Sequence, residues 1–164
     1  MAEGRTSLPS GANLVDGTLR LTLGNGLAAI ADSGVAVAEF CAFHALTPTV
    51  VNRIEVIFEE VVANIIRHGL AAGSPQSIRV AMTFEANRAG GDVVLRFDDD
   101  GAPFDPVKAV APPAFTRLAD AAIGGLGIAL VKRLARKVTH ERPALAGGIG
   151  FQPVNRLTVR VATG

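Results

Sequence analysis

The chain has 164 residues, 49% of them hydrophobic and 19% charged, with a net charge of +1. That is one domain's length with enough apolar material for one core, which excludes a disordered chain and leaves no room for a separate receptor module. Near-neutral charge with dispersed basic residues argues against nucleic acid. No apolar stretch reaches the roughly 20 residues that span a bilayer, and the opening lacks a signal peptide's apolar segment, so no membrane contact and a cytoplasmic location are expected.

The Gly- and Ser-bearing opening through Gly17 reads as loose, which makes residues 1–18 a flexible N-terminal tail and 19–164 the folded domain. Leu19, Leu21 and Leu23 alternate with Arg20 and Thr22 in the period of a strand, and Asn25-Gly26 supplies a turn. Leu27 to Ile30 suits a second short strand before an apolar helical run from about Ser33 to Leu46. Thr47-Pro48 reads as an N-cap and first helical residue, and Gly69 as the cap at the other end. Within that helix Val50, Ile54, Ile57, Phe58, Val61, Val62 and Ile65 fall in one sector, with Arg53, Glu60, Asn64 and Arg67 opposite, facing away from the core.

Two strands, Ser77 to Glu85 and Asp92 to Asp98, flank a turn at Asn87 to Gly91. The stretch from Ala102 to Ile123, with Pro103, Pro106, Pro112 and Pro113, is too long for an ordinary connection and reads as a lid. Gly124-Gly125-Leu126-Gly127 then opens a helix, and Arg156 to Val161 alternates as a closing strand. The fold class is α+β, a two-layer sandwich with helices covering one face of a mixed sheet. The single cysteine, Cys41, reads as a small buried apolar residue, and His44, His68 and His140 lack the spacing of a zinc site.

Three segments can carry chemistry. Glu60 and Asn64 stand four residues apart, one above the other on a helix, where an amide oxygen suits Mg²⁺ and a carboxylate can orient or deprotonate a hydroxyl. Such a stripe also occurs as a plain solvated face. Asp98-Asp99-Asp100-Gly101 ends a strand in carboxylates, one of which could accept a hydrogen bond from an exocyclic amine, with Gly101 permitting close approach. Gly124, Gly125 and Gly127 at a helix start offer free amides and a positive dipole end to phosphate, although the segment is neither a Walker A loop nor GxGxxG.

In this order, with a lid between the last two, the segments Phe58 to Gly69, Asp99 to Pro106 and Gly124 to Val131 resemble the N box and the two glycine boxes of the GHKL ATP-binding superfamily. Within it they resemble the anti-sigma-factor serine/threonine kinases. Asn155-Arg156-Leu157-Thr158-Val159 is similar to that family's closing strand, so the resemblance runs from about Leu19 to Val161. It implies a Bergerat-type fold with ATP and Mg²⁺ as cofactors. It also implies that Asn64 binds Mg²⁺, Glu60 is the catalytic base and Asp99 recognises the adenine amino group. Gly101 would shape the adenine pocket, Pro103 would be a further nucleotide-binding residue, and Gly124, Gly125, Leu126 and Gly127 would cradle phosphate as the lid closes. Glu59 competes with Glu60, which lies only about 40° around the helix from Asn64.

The implied partners are a sigma factor, which the protein would sequester, and an anti-sigma-factor antagonist whose serine accepts the phosphate. Dimerisation, frequent among relatives, is a further expectation. Pro103 replaces a glycine common in the superfamily, although Pro-Phe-Asp-Pro is what the anti-sigma branch tends to show. Residues Glu141 to Val154 are longer than the expected turn. Three rival readings stand beside the kinase: a nucleotide-binding partner-switch module without kinase activity; the ATPase half of a sensor histidine kinase, for whose helical hairpin the residues before Leu19 are too few; and a structural domain that binds no nucleotide.

Overall fold

The computed structural model describes residues 8–69, 77–103, 105–108, 125–143 and 154–164. In chain order these form β1 (Ala12–Val15), β2 (Thr18–Leu23), α1 (Ala28–Phe43), α2 (Pro48–Asn64) running into a π-helical turn (Ile65–Gly69), β3 (Ile78–Glu85), β4 (Asp92–Asp99), α3 (Gly125–Leu134), β5 (Lys137–Glu141) and β6 (Asn155–Ala162). The strands make one sheet in the order β1-β2-β3-β4-β6-β5. Its pairings are all antiparallel.

Connectivity explains the strand directions. Two helices between β2 and β3 bring the chain back reversed, so those neighbours are antiparallel. Among the described residues one helix, α3, lies between β4 and β5; these run the same way, and β6 fills the slot between them. The sheet thereby escapes the parallel contact that a strand-helix-strand unit would otherwise make, and that a mixed sheet would contain.

One face of the sheet is the core. Leu19, Met82, Leu95 and Val159 align across four strands, and Leu21, Val80, Phe97 and Leu157 form the next row. All are buried, as are Val50, Ile54, Ile57, Phe58, Val61, Val62 and Ile65 of the second helical segment, the sector that the helical period selects. Thr47 stands at the cap position in extended conformation with proline following, but its side chain makes no capping bond. Cys41 is buried; burial, with Glu55's charge adding to it, pushes its thiol up to about 11, so it stays protonated and apolar. Among the described residues no helix is long and apolar enough to cross a membrane.

Two expectations near the start need correcting. Residues 12–15, expected within a loose tail, are β1, which pairs with β2 and covers an edge that would otherwise present unpaired backbone. The turn between them is Asp16-Gly17 with φ of 49° and 71°, the left-handed pair that a two-residue hairpin requires. The Gly17 carbonyl accepts a 2.7 Å bond from His44 Nε2, whose ring lies among Phe40, Phe43 and Phe84. This ties the hairpin to the end of α1. Leu27 to Ile30 is not a strand, because β2 is already paired on both edges; the alanine-rich stretch joins α1 instead.

The other face of the sheet is charged. Arg79, Asp98, Arg156 and Glu141 lie side by side across four strands with alternating sign. Arg156 grips Asp98 with Nε and Nη2 at 2.7 and 2.9 Å.

Candidate functional site

Three consecutive aspartates close β4, and the pleat sends them different ways. Asp98 faces the charged side and is consumed by Arg156. Asp100 is exposed beyond the strand. Asp99, two residues on from the core residue Phe97, points under the helices and is 5% exposed. A carboxylate so placed needs partners. Its Oδ1 accepts from the Gly101 backbone N–H and from Asn155 Nδ2, both at 3.0 Å. Asn155 stands opposite it in register, donates also to the Ala102 carbonyl at 2.9 Å, and accepts from Arg142 at 2.9 Å. Both bonds to Asp99 fall on Oδ1, and Oδ2 takes neither. Burial pushes the carboxyl above the ordinary carboxylate range, while the bonds from Asn155 and Gly101 pull it back.

Asn64 is the last α-helical residue before the π-helical turn, a local widening that recurs at functional sites. With Asp99 it lines one cleft, whose apolar wall is Val61, Ile65 and Leu157 and whose other members are Pro106, His140 and Asn155. The cleft measures about 350 Å³ with its open mouth included. Apolar walls with one carboxylate among the lining residues suit a base bearing an exocyclic amine.

Glu60, one turn before Asn64, is half-buried, whereas Glu59 is exposed. Of the polar stripe expected to face away from the core, Glu60 instead faces α3: a methyl group at Gly127 would overlap Glu60 Oε2 and come within 3.2 Å of its Cδ. The absent side chain at Gly127 thus makes room for a carboxylate. Among the described residues no group of three or more His, Cys, Asp or Glu could hold a metal. One amide oxygen from Asn64 fits an Mg²⁺ held mainly by phosphates and water, and fits no protein-built cage.

Of the residues picked from sequence, Asn64 and Asp99 share the cleft, Gly101 is buried against Asp99, and Glu60 meets Gly127. Pro103 is exposed and is not part of the cleft wall. Gly125 opens α3. Gly124 and the Leu126 side chain lie outside the described residues, as do 104 and 109–123 of the expected lid and 144–153 of the long loop. Sequence reasoning gave no role to Asn155, Arg142, Pro106 or His140. A signal existed for two of them: Asn155 is in phase with Leu157, Val159 and Val161, and His140 with Val138, so each is a polar residue in a strand's inward phase.

The histidine kinase-like ATPase domain model matches residues 25–148. The serine/threonine-protein kinase BtrW of Bordetella bronchiseptica is 30% identical over 84 residues, which are 51% of this chain and 56% of that protein. The chain thus spans little more than half the length of that relative. The histidine kinase domain of the Erythrobacter litoralis EL346 blue-light activated histidine kinase superposes with a TM-score of 0.39 at 13% identity, covering 82% of this chain and 60% of that one. Since the family match includes the segments bearing Glu60, Asn64, Asp99 and Gly127, the chain belongs to the histidine kinase-like ATPase domain family.

Proposed function

We propose that the protein is an ATP-dependent serine kinase that phosphorylates an anti-sigma-factor antagonist and, between such events, sequesters a sigma factor. The observation that carries this reading is the convergence of Asn64 and the inward Asp99 on one cleft, with Glu60 a turn away against the start of α3. The similarity to a serine/threonine-protein kinase supports the choice of acceptor.

In this reading Asp99 Oδ2 accepts from the adenine amine, and Val61, Ile65 and Leu157 exclude water from the base. Amides at the start of α3 face the phosphates. Asn64 would hold an Mg²⁺ that the triphosphate brings, a charge that offsets the phosphate oxygens. Glu60 takes the proton of the partner's serine as its Oγ bonds to the γ-phosphorus; the bond to the β-phosphate oxygen breaks and ADP leaves. Little covalent work falls to the protein, so positioning dominates the rate. A phosphate of nearly −2 charge on the antagonist then breaks its complex with the kinase.

Incubation with Mg-ATP and the candidate antagonist, read by mass spectrometry, should give one phosphoserine on the antagonist. ATP binding without transfer to any antagonist would instead establish the binding-only module.

Gly127→Ala separates two roles of that glycine. If it admits Glu60, the methyl group pushes the carboxylate aside, and kcat should fall about 10- to 100-fold with KM for ATP changed by less than about threefold. A raised KM at unchanged kcat would assign the glycine to phosphate approach.

A further inference from the structure

His140 is a cleft residue that the reading above does not use. It lies on β5 in register with Leu157 of β6, its side chain is 11% exposed, and it lines the cleft shared by Asn64 and Asp99. Its Nδ1 is 3.5 Å from Oδ1 of Asp105. A carboxylate only accepts, so the proton of the neutral ring belongs on Nδ1, and Nε2 is left as an acceptor. Nε2 is buried and, among the described residues, has no hydrogen-bond partner. Buried polar atoms are nearly always satisfied, because leaving one bare costs its full desolvation.

Asp105 also accepts from the backbone N–H of Val107 and of Lys108. The Val107 carbonyl in turn accepts a 2.7 Å bond from Lys132 of α3. The short segment around the buried Pro106, itself a lining residue of the cleft, thus contacts β5 on one side and α3 on the other.

We propose that His140 is a nucleotide contact: Nε2 accepts a hydrogen bond from the adenosine half of ATP, while Nδ1 ties that contact to the Asp105 segment that borders the cleft. The inference rests on the nucleotide reading above and adds a residue to it. The adenosine half is chosen on chemistry. An acceptor nitrogen can use the N–H of the exocyclic amine or a ribose hydroxyl, whereas phosphate oxygens offer no proton.

The test combines calorimetric ATP titration of the wild type and His140→Phe, thermal melts without nucleotide, and imidazole ¹⁵N NMR of the wild type. Phenylalanine keeps the ring and removes both nitrogens. The expected result is about a five- to tenfold loss of ATP affinity, with the nucleotide-free melting temperature unchanged or raised because the unpaired atom is gone. In the wild type the Nε2 resonance should move with ATP and stay put with inorganic triphosphate.

Unchanged affinity in His140→Phe, affinity and nucleotide-free stability falling together, or an Nε2 resonance indifferent to ATP would each overturn the proposal. The NMR arm decides even if the variant does not fold. A wild type that gives no heat with ATP would fail the underlying nucleotide reading instead, which is a separate outcome.

Discussion

Asp99→Asn should lower ATP affinity at least about 100-fold while leaving the fold intact. The amide oxygen can stay where Gly101 and Asn155 donate to Oδ1, and a flipped amide would aim its N–H at those two donors, so the orientation is locked. Nδ2 then occupies the position of Oδ2 and confronts the adenine amine donor to donor. A lost charge-assisted bond together with two unpaired donors is worth a few kcal/mol, at about 1.4 kcal/mol per tenfold.

Stability should move the other way. Burial raises the folded carboxyl above its unfolded value, so the folded state binds more protons in the window from about pH 4 to the raised value, and wild-type stability falls as pH climbs through it. Above that window the cost of the buried charge is constant. Asp99→Asn abolishes the slope, and its nucleotide-free melting temperature at neutral pH should equal or exceed that of the wild type. ATP binding by the wild type should weaken on acidification through the same window, because a protonated Oδ2 donates where it must accept. Calorimetry across pH with paired thermal melts checks both signs; a variant that binds ATP normally would remove Asp99 from the site.

The second large effect is expected at Glu60. Glu60→Gln keeps the length of the side chain and its seat against Gly127 but cannot take a proton. Transfer to the antagonist should fall about 100- to 10,000-fold, the usual range for a lost general base, with ATP affinity within about twofold of the wild type. Single-turnover assays with saturating antagonist separate the two quantities. Glu59→Gln, altered at an exposed position, is the matched control and should transfer normally. Undiminished transfer in Glu60→Gln would strip the residue of its role.

The helix-borne half of the candidate site was legible as geometry because a helix fixes angles. The spacing of Glu60 and Asn64 sets their shared face whatever packs against it, and the apolar sector opposite them is buried residue for residue. What the period could not supply was the neighbour: Glu60 looks solvated until Gly127 of α3 is known to lie against it. The choice among three aspartates was made by resemblance, yet the pleat alone would have chosen, since Asp99 shares the phase of Leu95 and Phe97.

The β1 hairpin was missed although Asp16-Gly17 is a strong hairpin signal, because the flanking strand is four residues long and only partly buried. Asn155 carried a local signal in its inward phase on β6, but its partner was hidden: the bond to Asp99 spans 56 residues and follows from a strand register that no local pattern encodes.

The insertion of β6 between β4 and β5 has a consequence for synthesis. Asp99 and the strand that carries it are made well before Asn155, so a nascent chain holds a half-built candidate site with two open sheet edges until the sixth strand threads into its slot. Closure over so long a loop is slow. Competence to bind ATP should therefore arrive abruptly and last during folding, and a nucleotide already present would favour completion by holding only the finished form.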